Sequence, residues 1–174
     1  LIEYRVRFDP IFDRISFQGV PDIRTLVFRG VPVLAMVRLP TRLSDGKANL
    51  HQGAIGVGID LASGRTFSGV WHERPIEQHP DTGGNLSGRL IPYWDEILAM
   101  TAACHDFAGL GFIGVDIVLD ENHGPMMLEM NARPGLSIQL ANRIGLLSRL
   151  RHIQGLISIP EPVAERVKLA KTLA

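Results

Sequence analysis

Residues 112–131 read Phe-Ile-Gly-Val-Asp-Ile-Val-Leu-Asp-Glu-Asn-His-Gly-Pro-Met-Met-Leu-Glu-Met-Asn, and residues 132–136 continue Ala-Arg-Pro-Gly-Leu. Two β-rich runs flank a turn-forming stretch at 120–124, which predicts a hairpin. Pairing Leu119 with Met126 sets a register in which Asp116 lies opposite Glu129. Side chains alternate along a strand, so Glu129 and Asn131 share a face that Asp116 joins from the partner strand. Val115, Ile117, Leu128 and Met130 are then expected to point into the core. Two opposed carboxylates repel by roughly a few tenths of a kcal/mol, and a cation removes that cost. Hard oxygen donors with an amide partner suit Mg²⁺ or Mn²⁺. The competing reading is a frayed edge with Glu129 and Asn131 merely facing solvent.

Working outward, residues 23–29 and 31–39 form the clearest hairpin, folded about Arg29-Gly30. Residues 53–60 and 66–71 read as a second strand pair, and residues 1–8 as a further strand. Helical spacing of Trp94, Ile97, Leu98, Thr101 and His105 predicts a helix over 93–108, ended by Gly109 and Gly111. Ser137 is expected to cap a helix reaching about Leu150, and residues 161–173 to form a final amphipathic helix. The polar stretch 41–52 and the Pro-, Gly- and His-rich stretch 72–88 read as loops. His72 and His79 in the second have no spacing of a common metal site and are expected to be solvated. The sum is an α/β (α+β) lobe, a mainly antiparallel sheet flanked by helices. Residues 1–150 form the lobe and residues 151–174 a helical extension.

Composition narrows the function. The chain has 174 residues, 45% of them apolar, enough for a sizeable core. Eighteen basic residues balance eighteen acidic ones, which argues against a nucleic-acid surface. Cys104 is the single cysteine, expected in the core, so no intrachain disulfide can form. No apolar run is long enough to span a bilayer, and no signal peptide is visible, so a cytoplasmic location is the default. The chain opens on a strand-like run without Met, which suggests a fragment of a longer protein. The apolar face of the last helix either covers this lobe or meets another subunit in a homo-oligomer.

Gly114-Val-Asp-Ile-Val-Leu-Asp120 followed by Met127-Leu-Glu-Met-Asn-Ala-Arg-Pro-Gly-Leu136 resembles the metal-binding end of the ATP-grasp enzymes. With Asp22-Ile-Arg24 and Asn49-Leu-His-Gln-Gly53, the chain is similar to RimK-type α-L-glutamate ligases over residues 1–140. The resemblance implies the C-terminal lobe of an ATP-grasp domain, with Asp116, Glu129 and Asn131 as metal ligands. It implies ATP with Mg²⁺ or Mn²⁺ as cofactors. Glu3 and Tyr4 would meet adenine, Asp22 and Arg24 the nucleotide, and Lys47, Asn49 and Arg133 the phosphate and the reacting groups. Lys47 stands where the family carries Arg, keeping the charge but losing the bidentate fork. Arg133 stands where close relatives carry a small residue.

The implied reaction activates a carboxylate as an acyl phosphate, which an amine then displaces to form an amide. Glutamate or a peptide is the implied class of substrate. The family's phosphate-holding lysines and glycine-rich loop precede the hinge segment at which this chain begins, so the chain alone is expected to hold half an active site and to be inactive. Two other readings remain open: a nucleotide- and metal-binding module without turnover, and an unrelated interaction domain carrying a chance acidic hairpin.

Overall fold

The computed structural model describes residues 4–173. Its centre is a seven-stranded, wholly antiparallel sheet in the order β5-β4-β3-β2-β1-β6-β7. The strands are β1 (Asp22–Phe28), β2 (Val31–Leu39), β3 (Ile55–Ile59), β4 (Thr66–Trp71), β5 (Arg74–Ile76), β6 (Phe112–Asp120) and β7 (Gly124–Asn131). Four helices flank them: α1 (Trp94–Ala108), α2 (Ile138–Asn142), α3 (Leu146–Gln154) and α4 (Val163–Lys171). This is the expected mixed class.

Strand alternation divides the core in two. Ile23, Val37, Val57, Val115 and Ile117 point to one face and pack against Ile97, Leu98 and Ala102 of α1. Leu26, Leu34 and Met36 point to the other and pack against Ile138 and Ala141 of α2 and Ile153 of α3. Burying an aliphatic side chain contributes roughly 1.5–3 kcal/mol, so strands apolar on both faces hold the centre of the sheet. The β1–β2 turn forms as expected: Arg29 and Gly30 both have positive φ (50° and 80°), the mirror-image turn that suits strand twist.

Several expectations are corrected. Residues 4–7 form no strand; only Phe8 bridges to Asp120, and the first three residues lie outside the described range. The helix expected from Ser137 to Leu150 is two helices. Arg143 takes a left-handed conformation (φ 54°) at the end of α2, and the Gln139 side chain accepts the Leu146 N–H at 2.8 Å to start α3. Residue 150 therefore lies inside α3. Helix α4 buries Val167 and Ala170, and Arg166 forks onto Asp106 of α1. In the stretch 72–88, β5 forms, and His79 is fully buried rather than solvated. Its Nε2 meets the Pro40 carbonyl at 2.9 Å and its Nδ1 accepts the Asp81 N–H, so both ring nitrogens are satisfied. Cys104 is buried, as expected. Among the described residues, no helix is long and apolar enough to cross a membrane.

Candidate functional site

Register across four strands builds the site. Asp22 of β1 pairs with Arg38 of β2, Arg24 of β1 with Asp116 of β6, and Asp116 with Glu129 of β7. These side chains lie in one row on the α2 face of the sheet, where they flank the apolar cluster of Leu26 and Met36. The Asp116–Glu129 pairing is the expected one, but it is reached differently. The turn-proximal register pairs Leu119 with Pro125 and Ile117 with Met127, and a bulge at Leu128 then restores Asp116 opposite Glu129. Leu128 therefore does not enter the core. It is about half exposed and lines, with Val118 and Tyr4, a broad groove of about 1140 Å³ beside the site.

The row is held by charge. Arg24 forks onto Asp116, with Nε to Oδ1 at 2.7 Å and Nη2 to Oδ2 at 2.5 Å, and Arg38 adds a third bond to Oδ2 at 2.9 Å. Arg38 also forks onto Asp22 at 2.5 and 2.6 Å. Arg24 and Arg38 are thus largely buried in a four-member ion network. Burial pushes the Asp116 carboxyl up, but the Arg24 hydrogen bond and the charges of Arg38 and Arg24 outweigh it and hold it below the usual carboxylate range. Burial dominates at Asp22, whose carboxyl is pushed up to about 6 in spite of its Arg38 pair.

The donor set fits a hard divalent cation. An ionised carboxylate has about four lone-pair sites, and the arginines take three on Asp116, leaving one on Oδ1. Asn131 donates its Nδ2 to Glu129 at 2.9 Å, and Glu129 is exposed. Two carboxylates and one amide suit a metal that keeps several waters. Among the described residues, no group of three or more His, Cys, Asp or Glu is placed to hold a metal. The arginines already relieve the carboxylate repulsion expected from sequence, with Arg24 reaching to 4.0 Å from Glu129.

Other expected residues fall at different distances from this row. Asn49 lines a small recess with Arg24 and Arg38, and its side chain accepts the His51 N–H at 3.0 Å. Lys47 and Arg133 are exposed, and neither forms an ion pair among the described residues. Glu3 lies outside the described range. Tyr4 donates its hydroxyl to Asp120 at 3.1 Å, and its ring meets His123 edge-on at 5.2 Å.

Sequence reasoning passed over Asp120. It is buried, and it accepts from the N–H groups of Arg7, Asn122 and His123 as well as from Tyr4. Its carboxyl works against burial, and these donors hold it below its ordinary value. The Asp-x-x-x-Gly turn signal was visible; that its carboxylate also anchors residues 4–7 was not.

The family model for the sugar-transfer associated ATP-grasp proteins matches residues 1–155. The chain therefore belongs to this ATP-grasp family, and its antiparallel sheet flanked by helices is consistent with that fold. A probable alpha-L-glutamate ligase of Maridesulfovibrio salexigens is 32% identical over 122 residues, covering 70% of this chain and 29% of that protein. A probable alpha-L-glutamate ligase of Legionella pneumophila (strain Corby) is 31% identical over 130 residues, covering 74% of this chain and 32% of that protein. The chain spans less than a third of the length of these relatives.

Proposed function

We propose that this chain is the metal- and phosphate-facing lobe of an ATP-dependent carboxylate–amine ligase, one that forms an amide through an acyl phosphate. The observation that carries the reading is the row Asp22, Arg38, Arg24, Asp116, Glu129, aligned by register on one sheet face beside an open groove. Phosphoryl transfer asks a protein for positioning and fixed charge more than for covalent chemistry, and this row offers both.

In this reading Asp116, Glu129 and Asn131 hold Mg²⁺ or Mn²⁺, which when bound neutralises charge on the transferring phosphoryl group. Arg24 is locked by Asp116, so its guanidinium is positioned before any ligand arrives and loses little entropy on contact. Asn49 faces the same recess and orients the reacting groups. Lys47 and Arg133 stand outside the row and act on substrate only by swinging inward. Asp22 contacts the nucleotide, and Glu3 and Tyr4 flank the adenine. The relatives' names point to glutamate as one substrate.

A thermal-shift titration with Mg²⁺-ATP tests this, run on the full-length protein that carries this lobe and on its Glu129→Gln variant. A ligand at 100 times its Kd adds roughly 2.7 kcal/mol to the stability of the folded state. The expected result is a shift that EDTA abolishes and that Glu129→Gln lacks. No shift of the wild type at millimolar Mg²⁺-ATP would overturn the reading. The position of Lys47 and Arg133 outside the row favours a second reading, nucleotide binding without turnover. It predicts the same shift with no ADP formed from any acid and amine pair.

A further inference from the structure

A second recess of about 280 Å³ opens beside the row, walled by Leu50, His51, Val70, His72, Glu73 and Leu140. It shares Leu50, His51 and Ser137 with the recess of Arg24, Arg38 and Asn49, so the two are continuous. The chemistry changes along its length. Arg24, Arg38 and Asn49 line only the inner recess, Val70, His72, Glu73 and Leu140 only the outer one, and Leu50, His51 and Ser137 stand where the two meet.

The far end is built at a cost. His72 and Glu73 form the two-residue turn between β4 and β5, and both take positive φ, 47° and 62°. Such turns favour Asn and Gly, and each other residue held there costs on the order of 1–2 kcal/mol. Strain of this kind persists where the surroundings fix it, and it gathers at functional sites. Here the surroundings are specific. The Trp71 ring lies against the His72 ring at 4.8 Å, and Trp71 Nε1 donates to the Gly53 carbonyl at 2.8 Å. Gly53 itself ends the short turn Leu50–Gln52 that carries His51, and its carbonyl also accepts the Thr41 hydroxyl at 2.8 Å. One carbonyl thus ties together the supports of both imidazoles. Glu73 brings a negative charge to this end and forms no ion pair among the described residues.

We propose that this recess is the subsite for an amino co-substrate that carries a second, cationic group remote from its reacting amine. The inference rests on the ligase reading above for the role of the reacting amine. The remote cation donates hydrogen bonds to the Glu73 carboxylate and to the adjacent His72 imidazole, and His51 stands between it and the reacting amine, where the two recesses meet. The body of the molecule lies along Leu50, Val70 and Leu140, and the reacting amine points toward Asn49 and Arg24.

The test uses 1,5-diaminopentane as probe, with 1,5-pentanediol and pentanoate, which carry no cation, as controls, in the absence of nucleotide. The imidazole proton resonances of His51 and His72 report binding, assigned by single His→Gln variants. The diamine is expected to shift both resonances and to bind roughly tenfold tighter than 1,5-pentanediol, the scale of one charge-assisted hydrogen bond. Glu73→Gln is expected to erase that preference while leaving the fold and the Mg²⁺-ATP thermal shift unchanged. Equal binding of all three probes, shifts confined to other histidines, or a preference that survives Glu73→Gln would each overturn the proposal. Because nucleotide is absent, these outcomes are independent of the Mg²⁺-ATP titration. A diamine preference without a nucleotide shift would retain the subsite and remove the ligase reading.

Discussion

Arg24 and Asp116 face each other in register across β1 and β6, and the guanidinium grips the carboxylate through two bonds of 2.7 and 2.5 Å. Both side chains are largely shielded from water. A buried ion pair of this kind contributes modest net stability, yet breaking it from one side leaves an uncompensated charge. Asp116, the candidate site residue on β6, is therefore also part of what holds the sheet together.

Asp116→Ala is accordingly expected to destabilise the fold by about 3–5 kcal/mol, because Arg24 and Arg38 would both lose a buried partner. Urea denaturation measures this. A loss below about 1 kcal/mol would mean that water reaches the arginines freely. The variant is unsuitable as a clean test of metal binding for the same reason.

Glu129→Gln should behave oppositely. Glu129 is exposed on the edge strand and its substitution should leave stability within about 0.5 kcal/mol of the wild type. Its effect is expected on Mg²⁺ affinity, read by isothermal titration in the presence of ATP. Unchanged affinity would remove Glu129 from the ligand set.

The pH dependence has a defined sign. The folded Asp22 carboxyl titrates at about 6, above its ordinary 3.8, so the folded state binds that proton more tightly than the unfolded one. Its contribution to stability is complete below about pH 4 and is lost as pH rises through 6, by at most roughly 3 kcal/mol. Asp22→Asn should flatten the urea midpoint over this window. Asp116, whose carboxyl is held low, acts with the reverse sign and only at more acid pH. A wild-type midpoint that rises steadily from pH 4 to 6 would contradict the Asp22 assignment.

Gly114 packs so closely under Pro134 that an added Cβ would lie 2.6 Å from the proline ring and 3.7 Å from Asn131 Cβ. Gly114→Ala should therefore push the 131–135 turn outward, costing roughly 1–3 kcal/mol. Metal affinity should fall as well, because Asn131 moves with the turn. Titration calorimetry beside a melting curve separates the two effects. A folded variant with full affinity would show that the turn is not positioned from beneath.

Much of this was legible in the chain itself. The β-rich runs 23–29 and 31–39 and the Arg29-Gly30 turn specify their hairpin locally, whereas the expected opposition of Asp116 and Glu129 is met only through a bulge that the sequence register did not contain. What escaped was set by distant partners. Nothing near residues 1–8 says that a buried Asp120 will hold Tyr4 and Arg7 by hydrogen bonds in place of a strand ladder. Nothing near His79 shows that the Pro40 carbonyl waits for its Nε2. The helix after Ser137 breaks because the Gln139 side chain caps the next helix, a choice helical spacing does not encode. That Arg24 and Arg38 are ion-paired and largely buried shows only when register brings two aspartates beside them.

The bulge at Leu128 has a consequence for how this site tolerates change. Between the turn at residues 120–124 and Glu129, the two strands differ by one residue, and that residue is absorbed before the acidic pair is reached. The phase of the Glu-x-Asn segment is thus locked to β6 and not inherited from the turn. Turn sequences can drift without moving the carboxylate. Deleting Leu128 would straighten the ladder, whereas a second residue inserted there would rotate Glu129 away from Asp116 and leave the rest of the strand intact. The bulge works as a mechanical clutch between a variable loop and a fixed pair of oxygens.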